Sequence, residues 1–240
     1  MDDAPAVTID DVAAVSPALA AYTRTAIIDG VWQRPGLLPR DRSIVTVAAL
    51  VAGGRTVGYA HYFTGALANG VTAAELSEIV LQVGFYAGWP VAFSAVPILK
   101  GIFSDRGIGA DQLPAVSPDL LPVEQALPAD ASRTVMLHGR FAATAPDLVT
   151  ITEDLLYGEV WRRPDLTPRD RDLATLAAMI ATGQTEFLPL YRAKATADGV
   201  SDAEVGEIVT HLAFYVGWPA ALSAAATFWP VTEDRTGCPA

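Results

Sequence analysis

Apolar residues recur at helical spacing along much of the chain. After Ala73, the residues Leu76, Ile79, Val80 and Val83 fall at positions i, i+3, i+4 and i+7, which places them on one face of a helix. No stretch alternates apolar and polar residues with comparable clarity, as a half-buried strand would. The hydrophobic pattern therefore predicts an all-α fold.

Polar residues mark the helix boundaries, and each mark occurs twice. Thr72 with Glu75, and Ser201 with Glu204, have the spacing of a capping box, in which each side chain bonds the backbone of the other residue. Glycine-containing pairs and triplets predict helix ends at residues 69–70, 88–90, 198–199 and 217–219.

The doubling extends over most of the chain. Trp161 follows Trp32 by 129 residues, and the same offset separates Tyr191 from Tyr62. No gap is needed from about residue 17 to residue 95 of the first copy. We infer a tandem duplication, because a constant offset over such a length does not arise by chance.

The predicted divisions are a first repeat at 1–103, a connector at 104–130 and a second repeat at 131–240. The connector is rich in Pro, Asp and Gly, and we expect it to wrap one half or to carry a short helix.

Composition narrows the possible partners. The 240 residues carry 27 acidic and 16 basic side chains, a net charge of −11, whereas nucleic acids and anionic membranes require a basic face. No apolar run approaches the roughly 18–20 residues that span a bilayer, and the first residues are acidic, unlike a signal peptide. The single cysteine, Cys238, cannot form an internal disulfide or a CxxC pair, and the three histidines are scattered, so we predict no metal site. We expect a soluble, cytoplasmic protein that acts on a small molecule.

The ordered motifs of each repeat resemble the carboxymuconolactone decarboxylase family, which shares its fold with the AhpD-like alkylhydroperoxidases. The resemblance rests on VWxRPxLxxRDR, a small-residue helix, and ALANGVTAAELSEIVLQVGFYAGWPVAFSA, and it covers about two thirds of the chain. It implies an AhpD-like all-α fold, no cofactor and assembly into a homo-oligomer. Relatives usually carry one such domain, so this chain resembles two fused subunits.

The redox branch of this superfamily is excluded by chemistry. Its CxxCxxxH motif aligns its cysteines with Arg55 and Gly58 in the first repeat and with Gln184 and Phe187 in the second. Because a thiol peroxidase needs a reactive thiolate, we do not expect this activity.

The decarboxylase branch is matched only in part. The resemblance aligns the histidine of its EL-x-x-H motif with Tyr62 and Tyr191, while the glutamate position holds Gly58 and Phe187. His61 lies one residue away from the histidine position, about 100° around a helix. Enolate chemistry needs an oxyanion donor and a proton source, which a phenol and an imidazole supply. We therefore take His61, Tyr62 and Tyr191 as catalytic candidates.

Arginines and tryptophans that repeat with the two copies are candidates for substrate binding. An arginine binds a carboxylate with two hydrogen bonds, and a tryptophan ring packs against a ring substrate. The structural interpretation, which we favour for Arg42, Arg171 and the tryptophans, gives salt bridges from Arg42 to Glu78 and from Arg171 to Glu207, and tryptophans that pack or form interfaces. The substrate-binding candidates are Arg34, Arg42, Trp89, Arg163, Arg171 and Trp218.

These features favour a cofactor-independent lyase or isomerase for a small cyclic or lactone-bearing oxygenated substrate. It would act by proton transfer with enolate stabilisation, and the resemblance implies decarboxylation of a carboxylated muconolactone as the parent reaction. The alternative is a small-molecule-binding or scaffold protein that kept the fold and lost catalysis. The sequence favours the first half as the active one, because His61 has Leu190 as its counterpart and Ser43 has Asp172. An enclosed pocket in which His61 and a tyrosine hydroxyl converge favours the enzyme, and a pocket packed shut by aromatic rings favours the scaffold.

Overall fold

The computed structural model describes residues 7–127 and 131–228, and these residues form helices joined by turns and loops, without a strand. The all-α prediction is confirmed. The α-helices are α1 (Ile9–Val15), α2 (Pro17–Tyr22), α3 (Pro39–Ala52), α4 (Tyr59–Ala68), α5 (Ala73–Ala87), α6 (Trp89–Asp105), α7 (Val123–Ala126), α8 (Ala131–Phe141), α9 (Pro146–Ile151), α10 (Pro168–Thr182), α11 (Leu188–Ala197), α12 (Asp202–Val216) and α13 (Trp218–Phe228). A π-helical segment follows α2 at Thr23–Ile28 and α9 at Thr152–Tyr157.

The predicted capping residues form the helix boundaries. The Thr72 hydroxyl accepts from the backbone N–H of Glu75 (3.1 Å), whose carboxylate accepts from the backbone N–H of Thr72 (2.7 Å). Both bonds of the second capping box are also present, at the start of α12. Gly88 ends α5 with φ of 99° and Gly217 ends α12 with φ of 94°, a backbone conformation that glycine adopts without a Cβ clash. The helix boundaries are thus fixed by local chemistry in both repeats.

Helices α3 and α10 cross at the centre of the molecule and make its most extensive helix contact. Both are buried around nearly their whole circumference, as expected of helices with small and apolar residues on every face. Helix α5 of the first repeat packs on α10 of the second, and α12 packs on α3. Each repeat therefore completes the core of the other.

Buried ion pairs join the two central helices at their first turns. Arg40 donates to both carboxylate oxygens of Asp170 (3.2 and 2.9 Å), and Arg169 donates to Asp41 (2.8 Å). Each arginine also binds the glutamate of the capping box in its own repeat. The two halves thus contribute equivalent residues to this cluster.

The connector lies against the second repeat. It carries the short helix α7, and the backbone N–H of Leu121 donates to the carbonyl of Arg162 (2.7 Å). The Arg163 guanidinium donates to the carbonyls of Ala115 (2.8 Å) and Val116 (3.0 Å). The expectation of a short helix in the connector is confirmed.

None of the helices in the described part of the chain is long and apolar enough to cross a membrane.

Candidate functional site

Two related sites form where the repeats meet, and each takes residues from both. The first site combines residues 31–62 of the first repeat with α12 of the second, and the second site combines residues 152–194 of the second repeat with α5 of the first. We call them the first site and the second site. Each has an arginine–glutamate pair at its base and an aromatic cluster above it.

The arginine–glutamate pairs correct one interpretation of the sequence. Arg42 donates to Glu207 (2.8 Å) and Arg171 donates to Glu78 (2.5 Å), so both pairs join different repeats. The predicted pairs within a repeat, from Arg42 to Glu78 and from Arg171 to Glu207, are wrong. The reason is the exchange of helices, because α5 and α12 present their glutamates to the central helix of the opposite half.

The same glutamates bind two more of the predicted arginines. Arg34 grips Glu207 with two hydrogen bonds (2.7 and 3.0 Å), and Arg163 donates to Glu78 (2.8 Å). Burial raises the pKa of Glu207, but the bonds from Arg34 and Arg42 outweigh it, so the pKa lies below its usual value. Arg42 is completely buried, whereas the side chain of Arg34 is 53% exposed. Arg34 is therefore the exposed member of this cluster, and its predicted contact with substrate stays a prediction.

Trp89 and Trp218 lie at the starts of α6 and α13, outside both aromatic clusters. Trp89 meets Phe85 edge to face (5.0 Å between centroids), and Trp218 meets Phe214 in the same way (5.0 Å). Both indoles are about half exposed. Their predicted contact with substrate stays a prediction.

The aromatic cluster of the first site is closely packed. The Trp32 indole N–H donates to the Tyr215 hydroxyl (2.7 Å), and the rings of Trp32 and Tyr62 stack with centroids 6.3 Å apart. The Tyr62 and Tyr215 rings meet edge to face at 5.3 Å. Burial raises the pKa of both phenols, so they are neutral hydrogen-bond donors.

His211, which is not among the predicted catalytic residues, is a member of the first site. It is fully buried on α12, its ring lies 5.1 Å from that of Trp32, and its Nε2 lies 2.7 Å from the hydroxyl of Thr46. Thr46 donates to the carbonyl of Arg42 (2.6 Å), so it accepts from a protonated Nε2. Burial, helped by the charge of Arg42, lowers the pKa of His211 to about 3. The imidazole is therefore neutral. A signal for it existed in the sequence, since Glu207, His211 and Tyr215 are spaced at i, i+4 and i+8 on one helix face.

His61 and Tyr62 lie in the first turn of α4, immediately after the irregular turn Thr56–Gly58. The His61 ring is exposed and meets the Tyr62 ring edge to face at 4.8 Å. The structure therefore places the two predicted catalytic residues in contact, with the imidazole on the solvent side of the phenol.

The second site holds a chain of hydroxyl groups. The Trp161 indole N–H donates to the Tyr86 hydroxyl (2.9 Å), Tyr86 donates to the Tyr191 hydroxyl (3.0 Å), and Tyr191 is bonded to the Tyr157 hydroxyl (2.8 Å). Burial raises the pKa of Tyr86 and of Tyr191. Tyr86 and Tyr191 are therefore neutral phenols at neutral pH, and the last member of the chain, Tyr157, ends the π-helical segment Thr152–Tyr157. Ile28 stands at the position of Tyr157 in the first repeat.

A cavity of about 270 Å³ opens onto these phenols. Its lining residues come from α5, α8, the π-helical segment, α10, α11 and the loop between α10 and α11. Its lining is mainly apolar, and no lining side chain is charged: Phe85, Tyr86, Met136, Leu137, Phe141, Thr152, Leu156, Tyr157, Met179, Gln184, Phe187, Leu190 and Tyr191. The cavity therefore combines apolar walls with phenol donors, the arrangement typical of small-molecule sites.

The described residues contain no cluster of metal-ligand side chains. Within residues 7–127 and 131–228, no group of three or more His, Cys, Asp and Glu side chains has a metal-binding arrangement. Cys238 lies outside the described residues.

Comparison with known proteins agrees with the motifs. The model of the carboxymuconolactone decarboxylase family matches residues 17–101 and again residues 146–228. A 4-carboxymuconolactone decarboxylase from Acinetobacter baylyi is 39% identical over 83 residues, which cover 35% of this chain and 62% of the relative. The nitrosuccinic acid decarboxylase npaB from Metarhizium robertsii is 33% identical over 75 residues, 31% of this chain and 52% of the relative.

The matched segments of these two relatives thus span between about half and 62% of their lengths. The two family-model matches together cover more than half of this chain, and they repeat in the same order as the helices and sites described above. The chain belongs to the carboxymuconolactone decarboxylase family and contains two tandem matches to the family model.

Proposed function

We propose that this protein is a cofactor-independent decarboxylase-type lyase whose reaction takes place in the cavity of the second site. The observation that carries the proposal is the hydrogen-bonded chain of phenols, Tyr86, Tyr191 and Tyr157, at the wall of an otherwise apolar cavity. The substrate we expect is a small oxygenated acid, cyclic or lactone-bearing, that fits about 270 Å³.

The phenols suit the charge that develops during decarboxylation. When the bond between the carboxylate and the adjacent carbon breaks, carbon dioxide leaves and the electron pair moves onto an acceptor oxygen of the substrate. Tyr191 donates a hydrogen bond to that oxyanion, and Tyr86 supports Tyr191 from behind. A proton from the phenol chain then adds to the carbon, and water restores the proton to the chain.

The apolar walls favour the same step. A carboxylate loses hydration when it enters a cavity without charged lining residues, whereas neutral carbon dioxide has little hydration to lose. The environment therefore disfavours the charged group that is to be lost. The substrate names of the two relatives fit this chemistry, since each contains a carboxyl group together with an electron-accepting group, a lactone in one and a nitro group in the other.

The first site has a different role in this proposal. The rings of Trp32, Tyr62, His211 and Tyr215 contact one another there as the rings of the second site do, so ring packing alone does not assign the active half. His61 and Tyr62 stay candidates for catalysis because they are in contact, but the described cavity lies at Tyr191. The geometry thus favours the second half, whereas the sequence favoured the first.

The test measures carbon dioxide release from 4-carboxymuconolactone, nitrosuccinic acid and a panel of small lactone and β-keto acids. With any substrate that is turned over, Tyr191→Phe is expected to lower kcat/KM by about 10²-fold or more, because it removes an oxyanion donor. Tyr62→Phe and His61→Ala, its matched controls, are expected to stay within a few-fold of wild type.

Two outcomes would contradict the proposal. If Tyr62→Phe or His61→Ala abolishes turnover while Tyr191→Phe does not, the first half is the active one. If calorimetry shows that panel members bind in the cavity but none releases carbon dioxide, the second candidate function holds, namely a binding protein without catalysis.

A further inference from the structure

Three charged residues lie beside the second site where the first repeat has neutral ones. They are Asp172, Lys194 and Asp198, and their counterparts are Ser43, Gly65 and Asn69. The neutral set holds itself together with one hydrogen bond, from the Asn69 amide to the Ser43 hydroxyl (2.9 Å). The fold therefore does not require charges at this place.

The charged set is nevertheless buried. The Lys194 ammonium lies 2.5 Å from a carboxylate oxygen of Asp198 and 3.3 Å from one of Asp172. The exposed fractions of the side chains are 11% for Lys194, 7% for Asp198 and 0% for Asp172. Burying such a cluster costs desolvation energy that its own attraction seldom exceeds by much. A set of charges that the other repeat omits calls for a functional explanation.

The explanation lies on the other side of the lysine. The Lys194 ammonium is 4.1 Å from the centroid of the Trp161 ring, and the Trp161 N–H begins the hydrogen-bond chain to Tyr86 and Tyr191. A cation over an indole face is attracted by the ring and draws electron density from it. The N–H then donates more strongly, and the gain passes along a chain of hydrogen bonds, each of which polarises the next.

We propose that Lys194 is a positioning residue that strengthens the phenol chain of the second site through Trp161, while Asp172 and Asp198 hold its ammonium in place. Burial also raises the pKa of Asp172 well above its usual value, which leaves the positive charge of the lysine less completely cancelled. The value of the arrangement to the enzyme rests on the proposed function, but the polarisation itself does not.

The experiment records the indole N–H signals of the ¹⁵N-labelled full-length protein, with the Trp161 signal assigned from Trp161→Phe. Lys194→Met is expected to move the Trp161 proton signal upfield and to speed its exchange with solvent, because the N–H becomes a weaker donor. Lys194→Arg should keep the wild-type signal, and Asp198→Asn, which removes the carboxylate beside the ammonium, should move it the opposite way. Trp32 is the internal control, since Gly65 stands at the position of Lys194 in its site.

The effect of a packing defect does not depend on the sign of the charge that is removed. Shifts of the Trp161 signal in opposite directions in the lysine and aspartate variants therefore indicate electrostatics rather than packing. If Lys194→Met does not fold, the triple variant Asp172→Ser, Lys194→Met, Asp198→Asn replaces it, because it follows the neutral set of the first repeat. The proposal is overturned if the triple variant leaves the Trp161 signal in place, or if Lys194→Met and Lys194→Arg move it equally. Carbon dioxide release is measured in a separate assay. A protein that releases no carbon dioxide can therefore still show the expected shifts of the Trp161 signal, and a protein without these shifts can still be a decarboxylase.

Discussion

Loss of the glutamate at the base of the first site should destabilise the whole protein. The Arg42 guanidinium is completely buried, and Glu207 is its charged partner. Glu207→Gln removes that charge and leaves Arg42 bonded to the carbonyl of Arg34 (2.6 Å). Removing one member of a buried pair costs about 3–5 kcal/mol, because the remaining charge stays desolvated. For a chain of this size about 2–4 °C of melting temperature is lost per kcal/mol, so a fall of about 6–20 °C is expected. Glu186→Gln is the matched control, since its pair with Arg140 is more than half exposed and contributes at most about 1 kcal/mol.

The pairing across the repeats is tested by a double-mutant cycle on the free energy of unfolding. Urea denaturation followed by circular dichroism is measured for Arg42→Met, Glu207→Gln, Glu78→Gln and the two double variants that contain Arg42→Met. Coupling of about 1 kcal/mol or more is expected between Arg42 and Glu207, and none between Arg42 and Glu78. Coupling confined to Arg42 and Glu78 would refute the exchange of helices.

Three further predictions follow from the buried imidazole of His211, the exposed rings of Trp89 and Trp218, and the absence of a CxxC pair from the sequence. His211 has a pKa of about 3 when folded against about 6.5 when unfolded, so the unfolded state binds the extra proton. The contribution of His211 to the free energy of unfolding should be fully present above pH 7 and should fall by about 2 kcal/mol between pH 7 and pH 5. In urea titrations, His211→Gln, which copies Gln82 of the second site, should remove this fall. Light scattering should give a mass that is a multiple of 25.3 kDa, since Trp89 and Trp218 expose apolar surface on α6 and α13; a monomer at micromolar concentration would contradict this. Hydroperoxide turnover with a dithiol reductant should be absent; robust turnover that Cys238→Ser abolishes would contradict the exclusion of thiol chemistry.

The local structure of this chain could be predicted from sequence because its causes are local. A capping box needs only two residues three positions apart, and a glycine at a helix end needs only a positive φ, so Thr72 and Gly88 mark helix boundaries without any knowledge of the fold. The duplication is visible for a similar reason, since a constant offset is a property of the sequence itself. These features account for the all-α fold and for most of its helix ends.

The pairing between helices could not be predicted in the same way. A repeat makes Glu78 and Glu207 equivalent, so a salt bridge from Arg42 to either one satisfies every pattern in the sequence equally well. Only the crossing of α3 with α10 decides between them, because it brings α12 to the first half. His211 was missed for this reason as well, since its partner Thr46 is 165 residues away in the sequence.

The fusion of two copies gives each site an independence that a symmetric dimer lacks. In a dimer of identical subunits, a substitution on one helix appears in both sites at once, because both subunits carry it. Here α5 serves the second site alone and α12 the first alone, so Gln82 and His211 can occupy equivalent places without conflict. The same freedom allows Tyr157 to extend the phenol chain of the second site while Ile28 stands at its position in the first repeat. The side chains of one site can then change while those of the other stay as they are, although the two sites share one core.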